Sequence, residues 1–372
     1  MNKLQQLVIL AAAFVLFGCT TVAPQQAATP GKDDGMTYPP PPDPAKFYYE
    51  RMLRGSTDVV PDEENGALMR ALTGSSRSGE GLGKPYGVAV HHGRVFVGDT
   101  GRREVTVFDL PEQRFFSIGG EEPGALSRPM GLDVDNDGNL YVVDGVLKVI
   151  NMYTRDGKFI RSIGLGGSDE DKINRPAGLA VNPQGTRLYV VDIGGTSSDD
   201  HKILVYDVKT GDFIQRIGSR GTGPGQFNLP RDVVVAADGS LYVVDGGNFR
   251  VQHLTQDGAY ISEFGSIGRQ GGQFSRPKEM ALDKDGNAYV VDAAFGNFQI
   301  FNPEGKLLLA VGSRAEHNGP AKYMLPAGIA IDSDGRIYMV DQYFQKVDVF
   351  RPADLSKGAG YSLGSAAKAS AK

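Results

Sequence analysis

One short phrase recurs along the chain. "YVVD" occurs at Tyr141, Tyr189, Tyr242 and Tyr289, with "FVGD" at Phe96 and "YMVD" at Tyr338 as variants. A proline opens each copy: Pro85, Pro129, Pro176, Pro230, Pro277 and Pro326, spaced 44–54 residues apart. A period of that length belongs to repeat architectures in which each unit buries its apolar faces only against its neighbours.

Inside each copy, apolar residues alternate with others over short runs, the period of strands rather than helices. In the fourth copy the runs are "DVVVA" (232–236), "LYVVD" (241–245), "RVQHL" (250–254) and "YISEFG" (260–265), divided by the turn sequences "ADGS" and "QDGA". The 50 glycines and 21 prolines among 372 residues fit many tight turns. Four strands make one blade and six blades close a ring, so the expected fold is all-β, a six-bladed β-propeller.

The pattern P-x-G-[apolar]-A-[apolar]-D…G-x-[apolar]-Y-V-x-D resembles the NHL-repeat family. "PYGVAVHHGRVFVGDTGRREVTVFD", Pro85 to Asp109, carries it closely, and the resemblance covers about 67–352. It implies the fold far more firmly than any function. "ALMRALTGSSRSGEGLGKPYGVAV" (67–90) parallels "DFIQRIGSRGTGPGQFNLPRDVVV" (212–235), which joins a fourth strand to the next blade. The N-terminal strand that closes the last blade is therefore expected near residue 67. Residues 47–66 are an unassigned lead-in, and 353–372 read as a flexible tail.

Residues 1–18 read as a targeting segment: Lys3, then the apolar run "LVILAAAFVLFG" (7–18), short for a membrane span. The run ends at Cys19, the single cysteine, and Leu16–Cys19 resembles a bacterial lipobox, whose cysteine is lipidated. Thr20 follows, which by resemblance to Gram-negative sorting implies the outer membrane. Residues 19–46, with "YPPPPDP" at 38–44, then read as a lipidated, Pro-rich tether. The expected setting is the bacterial cell envelope. A net charge of −5 offers no general attraction for nucleic acid.

"DKDGN" (283–287) imitates the start of a calcium loop, but positions six and twelve are Ala288 and Ala294 where glycine and glutamate are required. A turn between strands is the simpler reading. The family's peptide-amidating lyase holds zinc through inner-strand histidines. The matching residues here, Tyr86, Met130, Ala177, Arg231, Lys278 and Ala327, include none. The Gly-rich connectors lack a P-loop lysine and a following helix. No cofactor or metal is expected.

In a propeller the blade connectors and the loops between second and third strands share one face. That face gathers Lys84, Arg128, Arg175 and Arg276 before repeat prolines, and Arg231 and Lys278 after them. Blades four and five replace the usual glycine with Asp232 and Glu279. Tyr86, Phe249, Phe298, Tyr343 and Phe344 add aromatic character, and blade three adds a long loop, 193–202. Two readings stand: a binding face for an envelope protein or polymer, or cations that brace loops and rings that pack between blades. The alternative function, from resemblance to gluconolactonase-type propellers, is a metal-dependent hydrolase with Asp232 and Glu279 in the channel.

Overall fold

In the computed structural model, residues 35–62, 66, 72–74, 77–166, 171–195 and 200–361 are described. The expected signal peptide, Cys19, the first part of the expected tether and the tail beyond Tyr361 lie outside them.

Six antiparallel sheets form the ring. Their inner strands are Pro85–His91, Pro129–Val134, Pro176–Val181, Asp232–Val235, Pro277–Leu282 and Pro326–Ile331. Each touches the inner strands of both neighbours, and the sixth returns to the first. The "YVVD" strands are apolar on consecutive residues because both faces are covered. In blade two, Tyr141 and Val143 pack against Leu179, Val181 and Leu188 of blade three. Leu140 and Val142 pack against blade one's Phe96 and Val107.

The repeated aspartates are buried turn acceptors. Asp99 accepts the N–H groups of Gly83 (2.6 Å) and Lys84 (2.8 Å), and Asp292 those of Ser275 (2.7 Å) and Arg276 (2.9 Å). Each ties the end of a second strand to the connector that precedes its own blade's proline. The calcium look-alike is also a turn. Asp283 accepts from the N–H groups of Asp285 and Asn287, both at 2.9 Å, and from the Tyr289 hydroxyl at 3.1 Å.

Ring closure differs from the expectation. The strand that completes blade six is Phe47–Leu53, within the unassigned lead-in, antiparallel to Lys346–Pro352. Phe47 and Leu53 are buried in the blade-six cores. The Tyr49 hydroxyl donates to Asp348 at 3.0 Å, and Arg336 Nε donates to Glu50 at 2.7 Å. By contrast, Leu72 is 72% exposed, and the described residues of 66–74 belong to no strand. The likeness of 67–90 to 212–235 came from the Gly-rich connector, where Leu82 is buried and Gly81 bridges Gly55.

The later part of the expected tether is folded too. Thr37–Tyr38 pairs with Phe47 and Tyr48, and the Tyr38 ring meets Phe350 edge-on at 5.6 Å. The prolines therefore form the loop of a hairpin on blade six. The tail is pinned as far as Tyr361: Ala359 O accepts from Arg336 at 2.7 Å, and the Tyr361 ring stacks on His92 at 4.7 Å.

Candidate functional site

Two residues past each repeat proline, neighbouring inner strands press together around the axis. A Cβ built on Gly87 would lie 2.5 Å from Met130 O, and one on Gly131 2.7 Å from Leu179 N. Such spacing demands glycine. Blades four and five carry Asp232 and Glu279 at this level, each facing a glycine of a neighbour. A Cβ on Gly178 would meet Asp232 Oδ1 at 2.6 Å, and one on Gly328 would meet Glu279 Oε2 at 2.9 Å.

The acids also bond to the next blade. Asp232 Oδ2 accepts the Met280 N–H at 2.9 Å, and Glu279 accepts from Ile329. A third acid, Asp133 of blade two, repeats the motif: it accepts the N–H of Val181 at 2.9 Å and of Val134 at 2.8 Å. Asp133 was missed in the sequence, yet it breaks its own repeat. The other copies hold Ala89, Ala180, Val234, Ala281 and Ala330 at that place.

All three acids line a cavity of about 230 Å³ walled by the inner strands of all six blades. Burial raises their pKa values, outweighing the N–H bonds that favour ionisation. Asp133 and Asp232 are pushed up to about 7. Glu279 is held well above the usual carboxylate range by burial and then by the Asp232 charge. Its Oε1 is sealed from solvent and finds no hydrogen-bond partner among the described residues.

Above this floor stand Tyr86, Arg231, Arg276 and Lys278. Burial first, then the charges of Arg231 and Arg276, pull the Lys278 ammonium down to about 8. Burial, with Glu279 next, pushes the Tyr86 phenol up to about 12. The structure thus brings Tyr86, Arg231, Asp232, Arg276, Lys278 and Glu279 into one electrostatic cluster at the channel mouth. Lys84, Arg128 and Arg175 are exposed on the connectors around it. None of these six cations has a side-chain hydrogen bond or ion pair among the described residues. Elsewhere the buried Arg94, Arg250 and Arg336 are all paired.

The aromatic residues divide. Phe298 is fully buried between blades five and six, its ring 5.7 Å from Phe350, because its strand Asn297–Phe301 turns that side chain toward blade six. It is core and not part of a binding face. Phe249 is partly buried against the core of blades four and five, and Phe344 lies beside Lys346. Tyr343 is 61% exposed and remains on the face. Residues 196–199 of the blade-three loop lie outside the described residues.

No group of three or more His, Cys, Asp or Glu side chains among the described residues could hold an ion. Asp133 and Asp232 already accept N–H donors from the next blade.

A family model described as a 6-bladed beta-propeller matches residues 180–265. NHL repeat-containing protein 3 of Homo sapiens is 29% identical over 113 residues, covering 29% of this chain and 31% of that protein. Peptidylglycine alpha-amidating monooxygenase of Rattus norvegicus is 29% identical over 35% of this chain and 14% of its own length. The chain thus spans under a third of either relative. Among solved structures, a Bacteroides thetaiotaomicron protein of unknown function superposes with a TM-score of 0.61 at 17% identity, over 82% of this chain and 75% of its own. A Xanthomonas campestris gluconolactonase gives 0.56 at 15%, over 82% and 98%. Likeness at that identity speaks for the fold alone. Its sixfold proline-to-"YVVD" repeat and closed ring of six blades make this chain a six-bladed β-propeller similar in sequence to NHL repeat-containing proteins.

Proposed function

We propose that this propeller is a binding module, held to the bacterial outer membrane by lipid on Cys19, that captures an acid-bearing envelope protein or polymer at its channel mouth. The observation that carries the reading is the set of unpaired cations there. Arg231 and Arg276 each lower the Lys278 pKa, the three have no side-chain acceptor among the described residues, and like charges so placed are relieved by an incoming anion. Tyr86 and Tyr343 supply the flat apolar contact that recognition surfaces favour. The hydrolase alternative draws only on likeness of fold to gluconolactonases, and its two channel acids bond instead to the next blade.

The test is capture from envelope extract by the lipidated protein and by the Arg231→Ala/Lys278→Ala pair. Loss of a specific partner in the double variant, with the melting temperature unchanged, is expected. Unchanged capture would sink the assignment of the mouth. Failure of a Cys19→Ser variant to leave the membrane fraction would sink the lipid anchor.

A further inference from the structure

We propose that the cleft between blades five and six, on the face opposite the channel mouth, is a docking groove for an extended basic peptide segment of a partner protein that also carries apolar side chains.

The groove follows from how the ring closes. In blades two, four and five, the turn between third and outer strands folds down on the preceding blade. A Cβ on Gly157 would lie 2.8 Å from Ile118, one on Gly258 2.5 Å from Ile217, and one on Gly305 2.6 Å from Phe264. Blade six has no such turn. Its third strand, Lys346–Pro352, and its outer strand, Phe47–Leu53, come from opposite ends of the folded unit. The two chain segments leave side by side, joined by a 2.9 Å bond from Ala353 N–H to Lys46 O. Among the described residues no such turn descends on the outer strand of blade five, Leu307–Val311, and a cleft of about 910 Å³ stands open there.

Its floor is the end of the core layer between these blades: Tyr289, Ile300 and Leu309 on one side, Phe47 and Ile331 on the other. Leu308 is 54% exposed at the lip. The rim is acidic, with Asp283 and Asp285 from one turn, Asp332 and Asp334 from another, and Asp354 beyond the third strand. Lys46 and Lys284 are the opposing charges. Asp283 and Asp332 spend their oxygens on their own turns, and Asp334 pairs with Arg336 at 2.9 Å. Asp285 and Asp354 are exposed and have no partner among the described residues. The cleft runs from inner-strand ends at Leu282 and Ile331 out to Leu308 and Pro39. An apolar trench of that length with free carboxylates on its rim complements an extended chain that alternates apolar and basic residues.

The probe is a fluorescein-labelled peptide of alternating lysine and leucine, titrated against the folded protein at physiological salt and followed by anisotropy. Saturable binding is expected, weakened about tenfold or more by Leu308→Glu and by the Asp285→Lys/Asp354→Lys pair. Asp137→Lys, which changes the matching turn of blade two, leaves it unchanged, and so does Arg231→Ala/Lys278→Ala at the other face. No saturable binding, equal loss in Asp137→Lys, or equal binding of a glutamate–leucine peptide overturns the proposal. So does binding that appears only after residues 362–372 are removed, since the chain's own tail would then be the occupant.

Discussion

Asp232 and Met280 stand 48 residues apart, and one hydrogen bond of 2.9 Å joins them, from the Met280 N–H to the Asp232 carboxylate. It ties the inner strands of blades four and five at the channel mouth. The same atoms that carry charge at the candidate site therefore also carry the ring.

That double duty gives a pH dependence with a definite sign. Asp133 and Asp232 have folded-state pKa values of about 7, above their usual 3.8. The folded state holds these protons more tightly than the unfolded chain does. The stability they contribute is fully present below pH ~4 and is lost as pH rises through about 7. The upper bound is about 4 kcal/mol per group, from about 1.4 kcal/mol per unit. The melting temperature is expected to fall between pH 5 and pH 8. Asp133→Asn/Asp232→Asn should flatten that slope, and an equal slope in the double variant would contradict the assignment.

The closing strand makes a second prediction. Arg336 is fully buried and pairs with Glu50 at 2.7 Å. Glu50→Ala leaves the guanidinium with one carboxylate fewer and should cost about 3 kcal/mol, the scale for breaking a buried pair. Arg336→Met/Glu50→Leu should cost less than the single change. Urea unfolding of the three proteins checks the order.

The aromatic residues can be separated in the same way. Phe298→Ala opens a hole in the core and should cost about 3–5 kcal/mol. Tyr343→Ala, at an exposed position, should change stability by less than about 0.5 kcal/mol. Similar losses in both would place Tyr343 in the core as well.

Metal removal tests the hydrolase alternative directly. Treatment with EDTA is expected to leave the melting temperature where it was. A drop of several degrees, restored by one divalent ion and absent in Asp232→Ala, would revive a channel metal.

Much of this was legible because it is local. The repeat prolines, the "YVVD" strands and the Asp-Gly turns each record their role within a few residues, and six copies fix their register. Departures from the repeat marked Asp232 and Glu279, and the same rule applied one step deeper would have found Asp133. What was misread is non-local. Phe298 sits in a loop-like sequence, yet its strand register turns it inward.

The sequence alone determined the blade, its four strands and their number, because alternation and turn chemistry are short-range properties repeated six times. Only the tertiary structure decided which segment closes the ring. The Tyr49–Asp348 bond spans 299 residues, and a single long-range pairing leaves no period in the chain. The same closure leaves blade six without the turn that presses on the outer strands of blades one, three and four. Whether a charge is paired, buried or free around the channel was also settled there, since that depends on neighbours from other blades.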